Sequence, residues 1–229
     1  MRPLRPGPPP ARPGGRRTTL RSEIAEGLRW LAAHRVLRAT AAMVAVVNLL
    51  ASAGGAIMVL FAQERLGLDA VGFGLLFSGS AVGGVLGSLV AARSVGLVGT
   101  ARIIVGTMAL SALAYLVFGL SSDPWLAGVM FGLVGFFTVV FNVVMGSLRQ
   151  ALTPDRLLGR VISAFRLFSY GTVPFGSLLV GVLARSFGLG APSVVAGRVI
   201  PAVALLGLPA LNTRTIAEAR AAAGLEPGR

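Results

Sequence analysis

Six long apolar stretches constrain the fold of this chain more than any other feature. They lie at residues 38–62, 70–92, 101–120, 125–148, 161–183 and 193–211. Each is close to the ~20 residues that an α-helix needs to cross about 30 Å of hydrocarbon. Because hydrocarbon cannot hydrogen-bond an exposed backbone, continuous runs of this length form helices. The sequence therefore predicts an all-α integral membrane protein with six transmembrane helices.

The composition agrees with a membrane location. Hydrophobic residues make up 55% of the 229 residues and charged residues only 13%, and the mean hydropathy is +0.80. A soluble domain carries about a quarter charged residues, so this chain cannot cover itself with a polar surface. The net charge of +13 does not predict a nucleic-acid partner, because most arginines lie in the N-terminal stretch or at the ends of apolar segments.

The chain lacks the residues from which catalytic and cofactor sites are usually built. It contains no Cys and no Lys, and its single His, His34, precedes the first apolar stretch. No Ser–His or Ser–Lys pair can therefore form within the membrane, and no phosphate-cradling glycine loop followed by Lys is present. We expect no enzyme activity, no cofactor and no metal site.

The arginines predict the orientation of the bundle. With the N-terminus inside, only Arg65, Arg185 and Arg198 of the 21 basic residues lie on the outer side. Cytoplasmic loops collect positive charge, so both termini are expected in the cytoplasm, on the inner face of the cell (plasma) membrane.

Four regions follow from the composition along the chain. Residues 1–19 are a Pro- and Arg-rich stretch expected to be disordered. Residues 20–37 form an amphipathic helix that lies in the headgroup layer, or alternatively a plain cytoplasmic linker helix. The six-helix bundle is expected over residues 38–211, followed by a cytoplasmic tail over residues 212–229.

A short internal repeat predicts how the helices are related. The second stretch ends in Ala-Arg-Ser-Val-Gly-Leu at residues 92–97, and the fifth ends in Ala-Arg-Ser-Phe-Gly-Leu at residues 184–189. The two copies occupy equivalent places in successive three-helix units but opposite predicted membrane faces. Inverted three-helix repeats recur in transporter folds, and we expect two such repeats here.

Polar residues inside apolar stretches are candidates for a pathway through the membrane. The candidates are Asn48, Asn142 and Tyr170. For the two asparagines, hydrogen bonding between helices is the alternative role. Glu64 and Asp69 lie at the outer boundary, and no Asp or Glu lies in the middle of a stretch. This argues against a proton pump with its own acidic relay.

Glycines spaced by four residues mark one face of the second stretch. Gly79, Gly83 and Gly87 form a ridge that lets a neighbouring helix approach closely. The ridge is either a sliding or rocking contact or a site of static helix packing.

Two motifs carry a resemblance to a known family. The segment that begins after the fourth stretch resembles the loop between the tenth and eleventh helices of major facilitator superfamily exporters. The matching residues are Arg149, Gln150, Leu152, Pro154, Gly159, Arg160 and Val161. The segment after the second stretch resembles the signature that follows the eighth helix of that family. It keeps Gly87, Leu89, Arg93 and Gly96 but has Ala91 in the acidic position, which weakens the expected gating role of that loop.

The resemblance covers residues 19–221 and implies the C-terminal half of such an exporter, most similar to siderophore exporters and drug–proton antiporters. It implies secondary export of a small amphipathic molecule, with a cavity between two six-helix halves. This chain would then work with a second half or as a homodimer. The alternatives are a truncated, non-transporting fragment and a membrane scaffold that uses the glycine ridge.

The charged loop after residue 148 is predicted to anchor the inner face. Thr153 is expected to cap a short surface helix, with Pro154 in its first position and Asp155 complementing the helix start. Gly159 is expected to act as a hinge to the fifth stretch. Anionic lipid headgroups are the expected partners of Arg149, Arg156 and Arg160. The predicted gate and anchor residues are Gly87, Arg93, Gly96, Arg149, Asp155, Gly159 and Arg160.

Overall fold

The computed structural model describes residues 20–52, 55–209 and 215. All secondary-structure elements in this part of the chain are helical, as predicted. The helices are α1 (Leu20–Ala33), α2 (Arg35–Ala51), α3 (Gly55–Leu60), α4 (Ala70–Val98), α5 (Thr100–Leu120), α6 (Pro124–Leu152), α7 (Asp155–Gly171), α8 (Val173–Phe187) and α9 (Ala191–Gly207), with a π-helical turn at Phe61–Arg65. The tails predicted at residues 1–19 and 212–229 lie outside the described residues, Thr215 excepted.

The number of helices that qualify as spans differs from the predicted six. Helices α4, α5, α6 and the α7–α8 pair are long and apolar enough to cross a membrane. A fifth span is counted if the bent pair α1–α2 crosses as one. The predicted first stretch is divided among α2, α3 and the π-helical turn. Helix α9 has only 17 residues, which rise about 25 Å, and the end of the predicted sixth stretch lies outside the described residues.

Aspartates and glycines mark the ends of the long helices. The Asp69 carboxylate accepts a hydrogen bond of 2.8 Å from the Gly72 N–H at the start of α4. The Asp123 carboxylate accepts one of 2.7 Å from the Leu126 N–H at the start of α6. These bonds satisfy N–H groups that have no partner within the helix. The C-cap residues of α4 and α8 are Gly99 and Gly188, whose φ of 92° favours glycine.

The repeated hexapeptide is used differently in its two copies. Helix α4 runs through the first copy and ends one residue after it, at Val98, with Gly99 as the C-cap. Helix α8 ends inside the second copy, where Gly188 is the C-cap. The matching residues Gly96 and Gly188 therefore differ in structural role.

The start of α7 lies one residue later than predicted. Pro154 is the extended N-cap residue, with ψ of 141°, and the helix begins at Asp155. Thr153 instead ends α6, where its hydroxyl donates to the Arg149 carbonyl at 2.8 Å. The cause is local: the Thr153 hydroxyl finds an acceptor in the preceding helix, so it is not used to cap the following one.

The break in the fifth predicted stretch also lies elsewhere than expected. Helix α7 passes through Gly159 without interruption and ends at Gly171. Helix α8 then starts at Val173, with Pro174 in its first turn. A proline lacks the N–H for the bond to the residue four positions earlier and clashes with that carbonyl. Pro174 therefore explains a break at Thr172, whereas Gly159 is an ordinary helical residue.

Helix α1 does not continue into α2, because the chain bends by 106° between them. His34 has extended backbone geometry, and its ring stacks on Trp30 with centroids 4.1 Å apart. The bend lays α1 against α7. At this contact Gly27 lies against the Arg160 backbone, and the Glu26 carboxylate forms an ion pair with the Arg160 guanidinium.

This ion pair gives a first testable prediction. Replacing Glu26 with Arg should loosen α1 from α7, and combining it with Arg160→Glu should restore the contact. The side chains of Arg160 and Glu26 are 31% and 43% exposed, so the pair stabilises by about 1 kcal/mol or less. We therefore expect local loosening without global unfolding. Hydrogen–deuterium exchange of the α1 amides should rise in the single variant and return in the double variant; equal exchange in both would contradict the role of the pair.

The remaining helices form three pairs. The first pair is α4 with α6, and the second is α2 with the α7–α8 segment. The third pair, α5 with α9, joins the first two, because α5 packs against α6 and α9 packs against α2. Helices α2 and α6 make only slight contact with each other. The arrangement leaves a cleft between α2 and α6, with α5 at its base.

Candidate functional site: a polar cleft between two helix pairs

The cleft contains a cavity of about 70 Å³ where α2, α5 and α6 face one another. Asn48 and Ala51 contribute from α2, and Asn142 contributes from α6. The base comes from α5, which supplies its polar residues. The polar residues of α5 that line the cavity are Thr107, Ser111 and Tyr115. The two asparagines, 94 positions apart in the chain, thus line the same cavity.

Two larger cavities adjoin this one and share its lining residues. One of about 400 Å³ is lined by Ala51 and Tyr115, among others. Another of about 630 Å³, along α4 and α6, is lined by Tyr115 and Thr138. Phe77 and Phe131 line both of the larger cavities. Since Tyr115 borders all three, we treat them as one cleft, hereafter the α2–α6 cleft.

None of the described residues that line the α2–α6 cleft is charged. Its surface combines aromatic rings with amide and hydroxyl groups. Aromatic surface contributes apolar contact area, and the amides and hydroxyls can orient a ligand by hydrogen bonding. The described part of the cleft can therefore bind a molecule with an apolar body and polar substituents.

Each asparagine donates a hydrogen bond to a backbone carbonyl through the nitrogen of its side-chain amide. The Asn48 Nδ2 donates to the Ser169 carbonyl of α7 at 3.2 Å. The Asn142 Nδ2 donates to the Thr138 carbonyl of its own helix at 2.9 Å. The bond of Asn48 thus joins two helices, whereas that of Asn142 stays within α6.

Tyr170, the third predicted pathway residue, lies outside the cavity that the asparagines line. It follows Ser169 on α7 and is 64% exposed. The structure thus brings Asn48 and Asn142 together and leaves Tyr170 exposed on α7.

The predicted glycine ridge lies against α6. A carbon built on Gly83 in the position of Cβ overlaps the Gly132 carbonyl oxygen, and one built on Gly87 lies 2.5 Å from the Phe136 carbonyl oxygen. Gly79 has a wider separation, 3.9 Å from the Gly128 carbonyl oxygen. Glycine therefore permits contact between the backbones of α4 and α6.

The predicted anchor residues fall into two groups. Arg149 is half-buried, with its guanidinium 4.2 Å from the centre of the Phe165 ring, and Arg160 pairs with Glu26. Exposed residues form the second group: Arg93, Gly96, Asp155, Arg156 and Gly159. Ala91, in the position where the family signature has an acid, is fully buried, so an ionised carboxylate there would need a buried partner.

Sequence reasoning missed the aromatic part of the cleft. Tyr115, Phe77 and Phe131 lie within apolar stretches, where nothing in the pattern separates a cavity-lining ring from one that faces lipid. The available signal is a hydroxyl inside the apolar stretch at residues 101–120, which Thr107, Ser111 and Tyr115 all carry.

The helices and this uncharged cleft define a multi-pass helical membrane protein. A family model described as transmembrane secretion effector matches residues 15–223. The chain belongs to this family of the major facilitator superfamily, which confirms the resemblance drawn from its motifs. It is a transport family, so the chain is assigned to membrane transport. No curated protein and no solved structure gives a match.

Proposed function

We propose that this chain is one six-helix half of a major facilitator exporter that moves a small amphipathic molecule out of the cell. It acts by rocking against a second six-helix half. The observation that carries this proposal is the α2–α6 cleft, an uncharged and mostly apolar cleft with a few amide and hydroxyl groups, lined by helices of a membrane bundle. Polar groups inside a membrane protein are costly and usually mark a pathway.

The packing of the helices supports an inverted repeat within this half. In the proposal, α2 with α3, α4 and α5 form one unit, and α6, α7–α8 and α9 form the other. If the two units are exchanged, α2 takes the place of α6, α4 that of α7–α8, and α5 that of α9. The contact of α4 with α6 then corresponds to the contact of α7–α8 with α2, and the contact of α5 with α6 corresponds to that of α9 with α2. All four contacts occur. Such repeats place the binding site at their interface.

The exposed wall of the cleft supports the need for a second half. Asn142 and Phe77 line the cleft yet are exposed. An amide exposed to hydrocarbon is unfavourable. A second six-helix body, from another polypeptide, another part of a longer chain or a second copy, covers this wall and completes the cavity.

The proposed orientation places both termini in the cytoplasm. The bend at His34 then lays α1 along the inner face, where Ile24 and Leu28, both partly exposed, contact the lipid surface. The anionic headgroups of that surface are the proposed partners of the exposed Arg93 and Arg156.

The test is transport by vesicles that contain a known number of copies. The full chain, carrying a fluorescent tag, is reconstituted at low density, and copies per vesicle are counted by photobleaching. We expect no movement of an amphipathic dye in vesicles with one copy. Movement is expected in vesicles with two copies, or after addition of an N-terminal six-helix half from the same family.

The controls separate the two parts of the proposal. Protein-free vesicles report leakage of the dye. Transport by single-copy vesicles would overturn the requirement for a second half. Absence of transport at every copy number and with the added half would overturn export itself.

A further inference from the structure

We propose that Asn48 and Asn142 form a paired acceptor site that selects uncharged substrates bearing hydrogen-bond donors on an aromatic body. This inference rests on the proposed function and names its substrate class. It follows from three features of the α2–α6 cleft: the orientation of the two amides, the hydroxyl of Tyr115 and the absence of charge among the described lining residues.

The bonds that the asparagines make fix the orientation of their amides. A backbone carbonyl only accepts hydrogen bonds, so the side-chain nitrogen of each asparagine must be the atom that faces it. For Asn48 this carbonyl belongs to Ser169, and for Asn142 it belongs to Thr138. Each Oδ1 atom is left without a hydrogen bond within the described residues. The cavity that both asparagines line therefore offers two amide acceptors.

Tyr115 adds a hydroxyl to this pair. Its side chain borders all three cavities of the cleft, and its hydroxyl makes no hydrogen bond within the described part of the chain. Around it, Phe77 and Phe131 pack with ring centroids 5.3 Å apart in an edge-to-face arrangement. The rings give an aromatic ligand a surface to pack on, while the Asn oxygens and the Tyr115 hydroxyl bond its polar substituents.

The site disfavours both kinds of charge. An anionic group finds no cationic side chain among the described residues that line the cleft to compensate the loss of its hydration, and the partial negative charge of two amide oxygens repels it. A cationic group suits those oxygens, but none of the described residues that line the cleft supplies a carboxylate to compensate the loss of its hydration. Burying an unpaired charge is far more costly than burying a hydroxyl that finds an acceptor. The favoured ligand is therefore neutral and carries donors.

Three fluorescent probes with one ring system test this selection. They are a dihydroxynaphthalene, a naphthylmethylammonium and a naphthoate, which at neutral pH are uncharged, cationic and anionic. Binding to the full chain in phosphatidylcholine nanodiscs is followed by fluorescence polarisation. We expect the uncharged probe to bind at least ~10-fold more tightly than either charged probe, because burying an unpaired charge costs more than the free energy that corresponds to tenfold in affinity.

Substitutions at Asn142 test whether its side-chain oxygen is responsible for the selection of uncharged ligands. This residue is suitable because its only described hydrogen bond lies within α6. Asn142→Leu should lower the affinity for the uncharged probe about tenfold. Asn142→Asp supplies a carboxylate and should shift the affinity ratio at least ~10-fold toward the cation. Ser94→Ala is the control, because the Ser94 hydroxyl bonds its own helix at Val90 and lies outside the cleft. Asn48→Leu should also lower the affinity for the uncharged probe. The melting temperature of this variant shows whether the bundle still folds.

The possible outcomes separate this inference from the proposed function. Tightest binding of the cation or the anion by the unmodified chain would overturn the inference, as would binding of no probe. An unchanged affinity ratio in Asn142→Asp would overturn it as well. Loss of vesicle transport with the binding pattern intact would overturn export but leave the selection standing.

Discussion

Replacing Gly83 with Ala should lower the melting temperature of the purified chain by roughly 5 °C. Overpacking a tight contact costs about 1–3 kcal/mol, and each kcal/mol shifts the melting temperature of a chain of this size by about 2–4 °C. The same substitution at Gly74, in the same helix, should leave it unchanged or raise it, because Ala favours a helix over Gly by up to about 1 kcal/mol. Melting is measured by size-exclusion chromatography in detergent after stepwise heating.

The difference between the two sites comes from the backbone of α6. An added methyl carbon at Gly83 overlaps the Gly132 carbonyl oxygen and lies 3.2 Å from the Phe136 nitrogen. A backbone cannot rotate away as a side chain can, so α4 and α6 must separate. At Gly74 nothing lies within 4 Å of the added carbon. Equal melting temperatures for the two variants would show that the helices are not in contact at Gly83.

Replacing Gly176 with Ala should separate the other helix pair to a similar extent. An added methyl carbon there overlaps the Leu49 carbonyl oxygen and the Ser52 hydroxyl of the α2 end. Two polar contacts lie beside it and should weaken together: the Thr172 hydroxyl donates to the Ala45 carbonyl at 3.1 Å, and the Ser177 hydroxyl donates to the Ser52 carbonyl at 3.2 Å. We expect a fall in melting temperature on the order of 5 °C.

Gly181 provides the matched control in α8, because nothing lies within 4 Å of its added carbon. The melting temperature of Gly181→Ala should equal or exceed that of the unmodified chain. Hydrogen–deuterium exchange locates the effect: in Gly176→Ala, amides near the end of α2 and the start of α8 should exchange faster, with α4 and α6 unaffected. Faster exchange confined to α4 and α6 would contradict this assignment.

The sequence predicts the long helices well because hydrophobic length alone defines them. The sequence predicts a helix over residues 101–120, and α5 covers Thr100–Leu120, because Gly99 and the segment before Pro124 limit the apolar run on both sides. Packing between elements has no such local signal. The docking of α1 on α7 depends on Gly27 meeting the Arg160 backbone, residues 133 positions apart in the chain.

The candidate site was predicted in its polar part only. A polar residue in an apolar stretch identifies itself by its chemistry, which singled out Asn48, Asn142 and Tyr170. The chemistry does not say which side of the helix faces the cleft, and the structure places Tyr170 outside the cavity of the other two. Tyr115 carries the same kind of polar signal, but only the packing of α5 at the base of the cleft determines that its side chain lines the cavity.

The uncharged lining of the α2–α6 cleft bears on the electrical work of transport. A membrane voltage does work only on charge that moves through it, about 2.3 kcal/mol per elementary charge for each 100 mV. The described residues that line the cleft carry no formal charge. Movement of these walls from one membrane face toward the other therefore carries no current of its own. The voltage can therefore act on the proposed cycle through what is bound in the cleft, or through charges that lie elsewhere in this chain or in a second half.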